Sequence, residues 1–324
     1  FFHHRIALMD GLLTLFISLT VFFLLSILNK VKKTNMLSLD TIMLIGGAGV
    51  SFGAALLTKT PAILALPSFA MLVFLASNIS LKEYLQRFIV IGAASGIGLF
   101  IVSLLYFAPA FSQLFGRGSD FLYSPQEVLF EGKIFETIAN IPSYSNYFIN
   151  YAGIFFFCII IIGLFTRQHK RITHVFFWSG ILFTLPIALL GQVVYPRYLF
   201  PAVFFYTIAA SFALEAIVMT HVYKQKSVIK RTLVSLVLAL MIANTVATSV
   251  VFMAQAVFQP NNLRLVPLDT VQYLTEWSSG HGIYEAYTLI TAAAQTQTIA
   301  VGTEGYFGTL PDGLLLYFYG KNVD

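Results

Sequence analysis

The stretch Asp10-Gly11-Leu12-Leu13-Thr14-Leu15-Phe16-Ile17-Ser18-Leu19-Thr20-Val21-Phe22-Phe23-Leu24-Leu25-Ser26-Ile27-Leu28 decides what kind of chain this is. From Gly11 to Leu28 it carries no charge, and its length falls in the range of roughly 17–25 residues that crosses hydrocarbon as a helix. Asp10 sits on the rim of that run. A carboxylate at the edge of a membrane is costly, so it usually has a partner or a task. The chain opens at Phe1, already inside this element, which reads as a piece of a longer membrane protein.

Composition extends this reading to the whole chain. Hydrophobic residues make up 58% of the 324 residues and charged ones 10%, with a mean hydropathy of +0.81. A soluble domain has about 25% charged residues, so this chain could not cover its surface with polar groups. The formal charge of +5 does not point to nucleic acid, because the basic residues lie in short clusters between apolar spans. The lone Cys158 lies inside a span, which leaves no disulfide framework and no paired-cysteine metal site.

Eight apolar runs are long enough to count as spans, at about 8–28, 41–57, 61–77, 88–107, 147–166, 175–194, 198–220 and 232–254. The second and third are short and joined only by Thr58-Lys59-Thr60-Pro61, a tight hairpin. Lys30, Lys32 and Lys33 follow the first span, and Lys82 and Arg87 the third. Arg167, Lys170 and Arg171 follow the fifth, and Lys224, Lys226, Lys230 and Arg231 the seventh. All four clusters fall on one side, which the positive-inside rule makes cytoplasmic. The other side carries every carboxylate except Asp40, Glu83 and Glu215. It also carries the Lys59 hairpin, a loop at 108–146, the Tyr195–Tyr198 segment and the tail. The expected fold is an all-α polytopic membrane protein with an 1–254 membrane domain. Residues 255–324 are expected to begin a small extracytoplasmic α/β domain that the C-terminus cuts short.

Within the 108–146 loop, Ser124-Pro125-Gln126-Glu127 is a capping box with proline at the first helical position. The predicted helix runs to about Asn140 and stops before Pro142. Aromatic residues flank it, among them Phe111, Phe115, Phe121, Tyr123, Tyr144 and Tyr147, as expected of a segment lying on the outer leaflet. In the tail, Asp269 is predicted to cap a helix through Trp277 with Gln272 completing the box. A second helix is predicted over Ile283–Gln295, and strands over Thr298–Val301 and Leu314–Tyr319.

The candidate chemistry gathers on the outer side. Asp10, Arg5, His3 and His4 cluster at one span end, Lys59 at a hairpin tip, and Arg197 between Tyr195-Pro196 and Tyr198. Isolated cations and a carboxylate flanked by tyrosines suit a lipid phosphate, with Lys and Arg holding its oxygens. The carboxylate would then act as base, orient an acceptor hydroxyl, or help hold a divalent metal. Plainer readings stand beside these. Asp10 suits a helix N-terminus, Lys59 can snorkel to the interface, and two adjacent histidines without a third ligand are a weak metal signal. Glu215, the only acid well inside a span, marks either an ion path or a bond to a neighbouring helix.

Several segments also resemble a known group. Arg5-Ile6-Ala7-Leu8-Met9-Asp10-Gly11-Leu12-Leu13-Thr14-Leu15-Phe16 resembles the start of the fourth span in GT-C membrane glycosyltransferases, in particular protein O-mannosyltransferases, the lipid A aminoarabinose transferase and the RgtA/B/C/D-like group. Leu56-Leu57-Thr58-Lys59-Thr60-Pro61 looks like that group's Leu-Thr-Lys-Gly-Pro hairpin, with Thr60 replacing the glycine. Tyr195-Pro196-Arg197-Tyr198-Leu199-Phe200-Pro201 resembles its Arg-Tyr segment. Val301-Gly302-Thr303-Glu304-Gly305 and Gly308-Thr309-Leu310-Pro311-Asp312 are similar to bacterial extracytoplasmic tails.

The resemblance implies an enzyme of the plasma (inner) membrane. It would take a sugar from a polyprenyl-phosphate donor on the outer face and pass it to a protein, lipid or glycan acceptor, the 108–146 loop helping to close the site. Asp10 matches the group's second acid. The first would lie in spans missing upstream, so the fragment by itself is expected to be inactive. Two alternatives remain open: a lipid-linked glycan flippase or transporter, which needs polar groups at the midplane, and a non-catalytic scaffold with an outer binding domain.

Overall fold

A computed structural model describes residues 9–30, 38–77, 79–108, 111, 122–275, 280, 282–302 and 309–319. The chain divides into two units, Phe1–Ala254 and Gln255–Asp324. Among the described residues every regular element is helical, and the one β-feature is an isolated antiparallel bridge between Leu122 and Gly191. The protein is an all-α polytopic membrane protein. Among the described residues six helices are long and apolar enough to cross a membrane, or up to seven if a bent pair counts as one span.

The first unit begins with α1, Met9–Leu28, which buries Leu13, Ile17, Val21, Leu24 and Leu28 at helical spacing and leaves Leu12, Leu15 and Phe22 outside. A helix that is apolar all round has this choice only where lipid takes the outer face. α2, Leu39–Thr58, packs between α1 and α4, Leu81–Ser103. Glycines make that fit possible. A Cβ at Gly49 would lie 2.5 Å from Ile97 Cβ, and one at Gly98 would lie 2.5 Å from Phe52 Cδ1. Small residues four apart, here Gly49 and Gly53, let membrane helices approach closely where no hydrophobic effect drives them together.

The run predicted as the third span, 61–77, is not a regular helix of that length. Pro61 and Pro67 break it into a 3-10 turn Thr60–Leu64, the helix α3 at Ala65–Met71 and a second 3-10 turn Leu72–Leu75. It stands among the shorter apolar helices rather than the candidate spans. It is fastened to α9, Lys170–Leu190, by two reciprocal bonds. Ser68 Oγ donates to Ser179 O at 2.7 Å, and Ser179 Oγ to Ser68 O at 3.2 Å. Arg87, read from sequence as part of a loop, lies inside α4. It is buried, and its Nη2 donates to Leu28 O at 2.9 Å, which satisfies a carbonyl at the end of α1.

In the 108–146 segment the capping box forms as expected, with Ser124 Oγ accepting from Glu127 N and Glu127 Oε2 from Ser124 N. The single helix expected to Asn140 does not. α5, Pro125–Phe130, ends where Gly132 takes φ 80°, and α6 occupies Ile134–Thr137. A new helix, α7 at Asn140–Ala152, starts where a stop was expected, because Pro142 falls in its first turn, where no donor is needed. α8, Ile154–Phe165, follows across Gly153 at φ 83°, and the two axes differ by 107°. Phe111 is described, whereas Phe115 and Phe121 lie outside the described residues.

After α9 come a 3-10 turn, Pro196–Leu199, then α10, Phe200–Ile217, a π turn Val218–Tyr223, and α11, Val228–Phe258. α10 packs on α9, α8 and α1. A Cβ at Gly163 would meet Ala213 Cβ at 2.2 Å, so α8 and α10 touch nearly backbone to backbone.

The second unit departs from expectation. Asp269 does not cap a helix; it is buried in the first turn of α12, Pro267–Thr270, whose N-cap is Val266. A π turn, Val271–Thr275, follows. Of the predicted strands, Thr298–Val301 has no regular structure and Leu314–Tyr319 belongs almost wholly to α14, Thr309–Phe318. A continuous apolar run has no period to separate strand from buried helix. α14 packs on α13, Ile283–Ala294, where the Tyr287 and Tyr317 rings stack at 5.1 Å.

Candidate functional site

Three distant parts of the chain meet at one end of the first unit. Asp10 lies in the first turn of α1, where the helix dipole favours an acid, and it is buried to 2% exposure. Lys59 forms the tip of the hairpin after α2. Its extended backbone donates N–H to Ala55 O and accepts from Ala62 N, both at 3.0 Å, so the turn is closed from both sides. Its Nζ reaches Asp10 Oδ1 at 2.6 Å, a bond between residues 49 apart in sequence.

The third part is Tyr195-Pro196-Arg197-Tyr198. Pro196 opens a 3-10 turn, and Tyr198 N donates to Tyr195 O at 3.0 Å. The turn places the Arg197 guanidinium 5.0 Å from the Tyr195 ring centre and 5.5 Å from that of Tyr198. The two rings meet edge to face at 5.7 Å, and Lys59 Nζ stands 4.9 Å from the Tyr198 ring centre. One tyrosine ring thus serves both cations, an attraction that strengthens when water is excluded.

Burial is the main influence on Lys59 and pulls its pKa down from the usual lysine value. Asp10 opposes this and Arg197 adds to it. Two cations meet at one tyrosine ring beside a single carboxylate, an arrangement that attracts a further anion.

The segment after Leu122 is pinned beside this cluster. Tyr123 N donates to Leu190 O at 2.7 Å, and Asn140 Nδ2 donates to both Ala188 O and Gly191 O at 3.0 and 2.9 Å. α7 packs against the Pro196–Leu199 turn and brings in Tyr144. That residue is 4% exposed, and its buried hydroxyl makes no hydrogen bond. Orphaned buried hydroxyls are uncommon, so Tyr144 joins the candidate set. Its sequence context showed only an interfacial aromatic.

Sequence reasoning named Asp10, Lys59, Arg197, Tyr195 and Tyr198, and the fold brings all five together. Arg5, His3 and His4 lie outside the described residues. Glu215 is remote from the cluster, half-exposed, and 3.4 Å from His169 Nε2. The Lys59 ammonium already holds Asp10 Oδ1, and the described residues contain no group of three or more His, Cys, Asp or Glu able to hold an ion. Compared with protein-family models, curated proteins and solved structures, the chain matches none.

Proposed function

We propose that this chain belongs to a membrane glycosyltransferase that uses a polyprenyl-phosphate sugar as donor, with the cluster facing the extracytoplasmic side of a plasma membrane. One observation carries the reading. Lys59 and Arg197, from separate hairpins, converge on the same tyrosine beside a buried acid at the end of apolar spans. That combination suits a phosphate that arrives through lipid rather than through water. Arg197 offers a planar fork to its oxygens, and Lys59 a point charge.

In the reaction, an acceptor hydroxyl oxygen attacks the anomeric carbon of the sugar. The bond from that carbon to the phosphate oxygen breaks, and polyprenyl phosphate departs. The acceptor proton passes to a carboxylate base. Negative charge grows on the phosphate as the bond breaks, and fixed cations stabilise that state more than the ground state. Asp10 holds Lys59 in place and is the carboxylate of this cluster. The acceptor is a protein, lipid or glycan.

The test is transfer of labelled sugar from a polyprenyl-phosphate donor in membranes carrying the whole gene product. Arg197→Ala and Lys59→Ala are each expected to lower the rate by about a hundredfold or more, the scale of one lost preorganised donor. Undiminished transfer by both variants, at equal amounts of folded protein, would remove the cluster from the site.

A further inference from the structure

A second site lies at the opposite end of the same bundle, built from residues that the proposed transfer does not use. A wide, solvent-open cavity of about 580 Å³ lies between the end of the α3 segment, the start of α4 and the start of α9. Met71, Phe74 and Tyr84 form an apolar wall, with the Phe74 and Tyr84 rings 6.2 Å apart. Arg167, Lys170, Arg171 and His174 form the other, and no carboxylate lines the cavity.

The cationic wall is held in position. Arg171 Nη1 donates to Ala76 O, tying α9 to the far wall. His174 Nε2 bonds Leu164 O at 3.0 Å. The turn between Arg167 and Lys170 depends on His169, at φ 55°, the one described non-glycine residue in the left-handed region. Such a conformation persists only where its surroundings fix it. Here the His169 ring packs on Phe212 at 5.5 Å, and its Nε2 faces Glu215 at 3.4 Å. The N-terminus of α9, a 21-residue helix with no side-chain cap, adds its dipole at the same place. By contrast, Arg167 and Lys170 are exposed and make no hydrogen bond or ion pair among the described residues.

A concave site with one apolar wall and one cationic wall, at the end of membrane helices, matches a phosphate carried on an acyl chain. We infer that this cavity binds the headgroup of an anionic phospholipid, with Arg167, Lys170 and Arg171 around its phosphate and the chains against Met71 and Phe74.

The purified whole protein in mild detergent would be titrated with phosphatidylglycerol and with phosphatidylcholine, and bound lipid read by native mass spectrometry. The expected result is preferential retention of phosphatidylglycerol. Arg167→Gln/Lys170→Gln should weaken it about thirtyfold, from about 1 kcal/mol for each basic residue at an anionic surface. The unfolding midpoint of this variant should equal that of the wild type. If it does not fold, Lys170→Gln alone should show about a fivefold loss by the same reasoning. Equal retention by wild type and variant overturns the inference. Displacement of the lipid by inorganic phosphate at about 1 mM also overturns it, since millimolar affinity for the free ion assigns the cavity to a soluble anion. Neither result bears on the Asp10 cluster, which lies at the other end of the helices.

Discussion

Replacing Lys59 by Met removes the ammonium that Asp10 holds at 2.6 Å and leaves a carboxylate 2% exposed. Breaking a fully buried pair by removing one partner costs about 3–5 kcal/mol, chiefly the penalty of an uncompensated charge. The Lys59 side chain is 26% exposed, so water reaches the edge of the pair and lowers that figure. We expect Lys59→Met to lose roughly 2–4 kcal/mol. Asp10→Asn should lose less, because the amide oxygen still accepts from Lys59. The double variant Asp10→Asn/Lys59→Met should return to within about 1 kcal/mol of wild type, since neutral replacements of a buried pair are often nearly neutral. The depressed pKa of Lys59 points the same way: desolvation outweighs the attraction of Asp10. Equilibrium unfolding in mixed micelles with increasing denaturing detergent would measure all four proteins. Single losses that sum to the double loss within about 0.5 kcal/mol would refute the pairing. The same double variant separates structure from chemistry, because it is expected to fold and yet transfer no sugar.

Three further outcomes follow from the geometry. Lys59 releases its proton below the ordinary lysine pKa when folded, so the unfolded chain binds more protons between that lowered value and about 10.5. Wild-type stability should therefore rise relative to the double variant as pH climbs through that window, and a flat difference would contradict the burial of Lys59. Gly98→Leu should lose about 1–3 kcal/mol or more through overpacking against Phe52, whereas Gly46→Ala, whose added Cβ meets nothing within 4 Å, should be close to neutral in the same unfolding assay. Asn140→Ala deletes two bonds to the carbonyls of Ala188 and Gly191 and should cost about 1–3 kcal/mol. It should also speed protease cleavage in the 122–140 segment, and unchanged cleavage would show that these bonds do not hold the loop.

Most of the apolar helices were legible from their long uncharged runs, but of the eight expected spans the run 61–77 is broken at Pro61 and Pro67 and the fifth bends at Gly153. The Ser124 capping box was legible because both of its partners lie within four residues. The breaks were harder. Gly132 and Gly153 end helices through positive φ, yet other glycines of the same unit sit inside helices where they only bring neighbours close. Arg87 reads as a loop charge because its hydrogen-bond partner, Leu28 O, lies 59 residues away. The cluster was half legible. Residue type and the expected side of the membrane gathered Asp10, Lys59 and Arg197, but the shared Tyr198 ring and the buried Tyr144 depend on how α7 and α10 pack. In the tail, Leu314-Leu315-Leu316-Tyr317-Phe318-Tyr319 satisfied a strand pattern, and packing of α14 on α13 made it a helix instead.

The bend at Gly153 has a consequence for the surrounding bilayer. α8 has 12 residues, a rise of about 18 Å, against a hydrocarbon core of about 30 Å. Its side chains remain exposed at Ile154, Ile161, Ile162 and Phe165. Hydrophobic mismatch on this scale is met by local thinning of the leaflet. Where α8 stands in hydrocarbon by itself, such thinning would draw headgroups inward along its flank, and the fold would deform its own solvent.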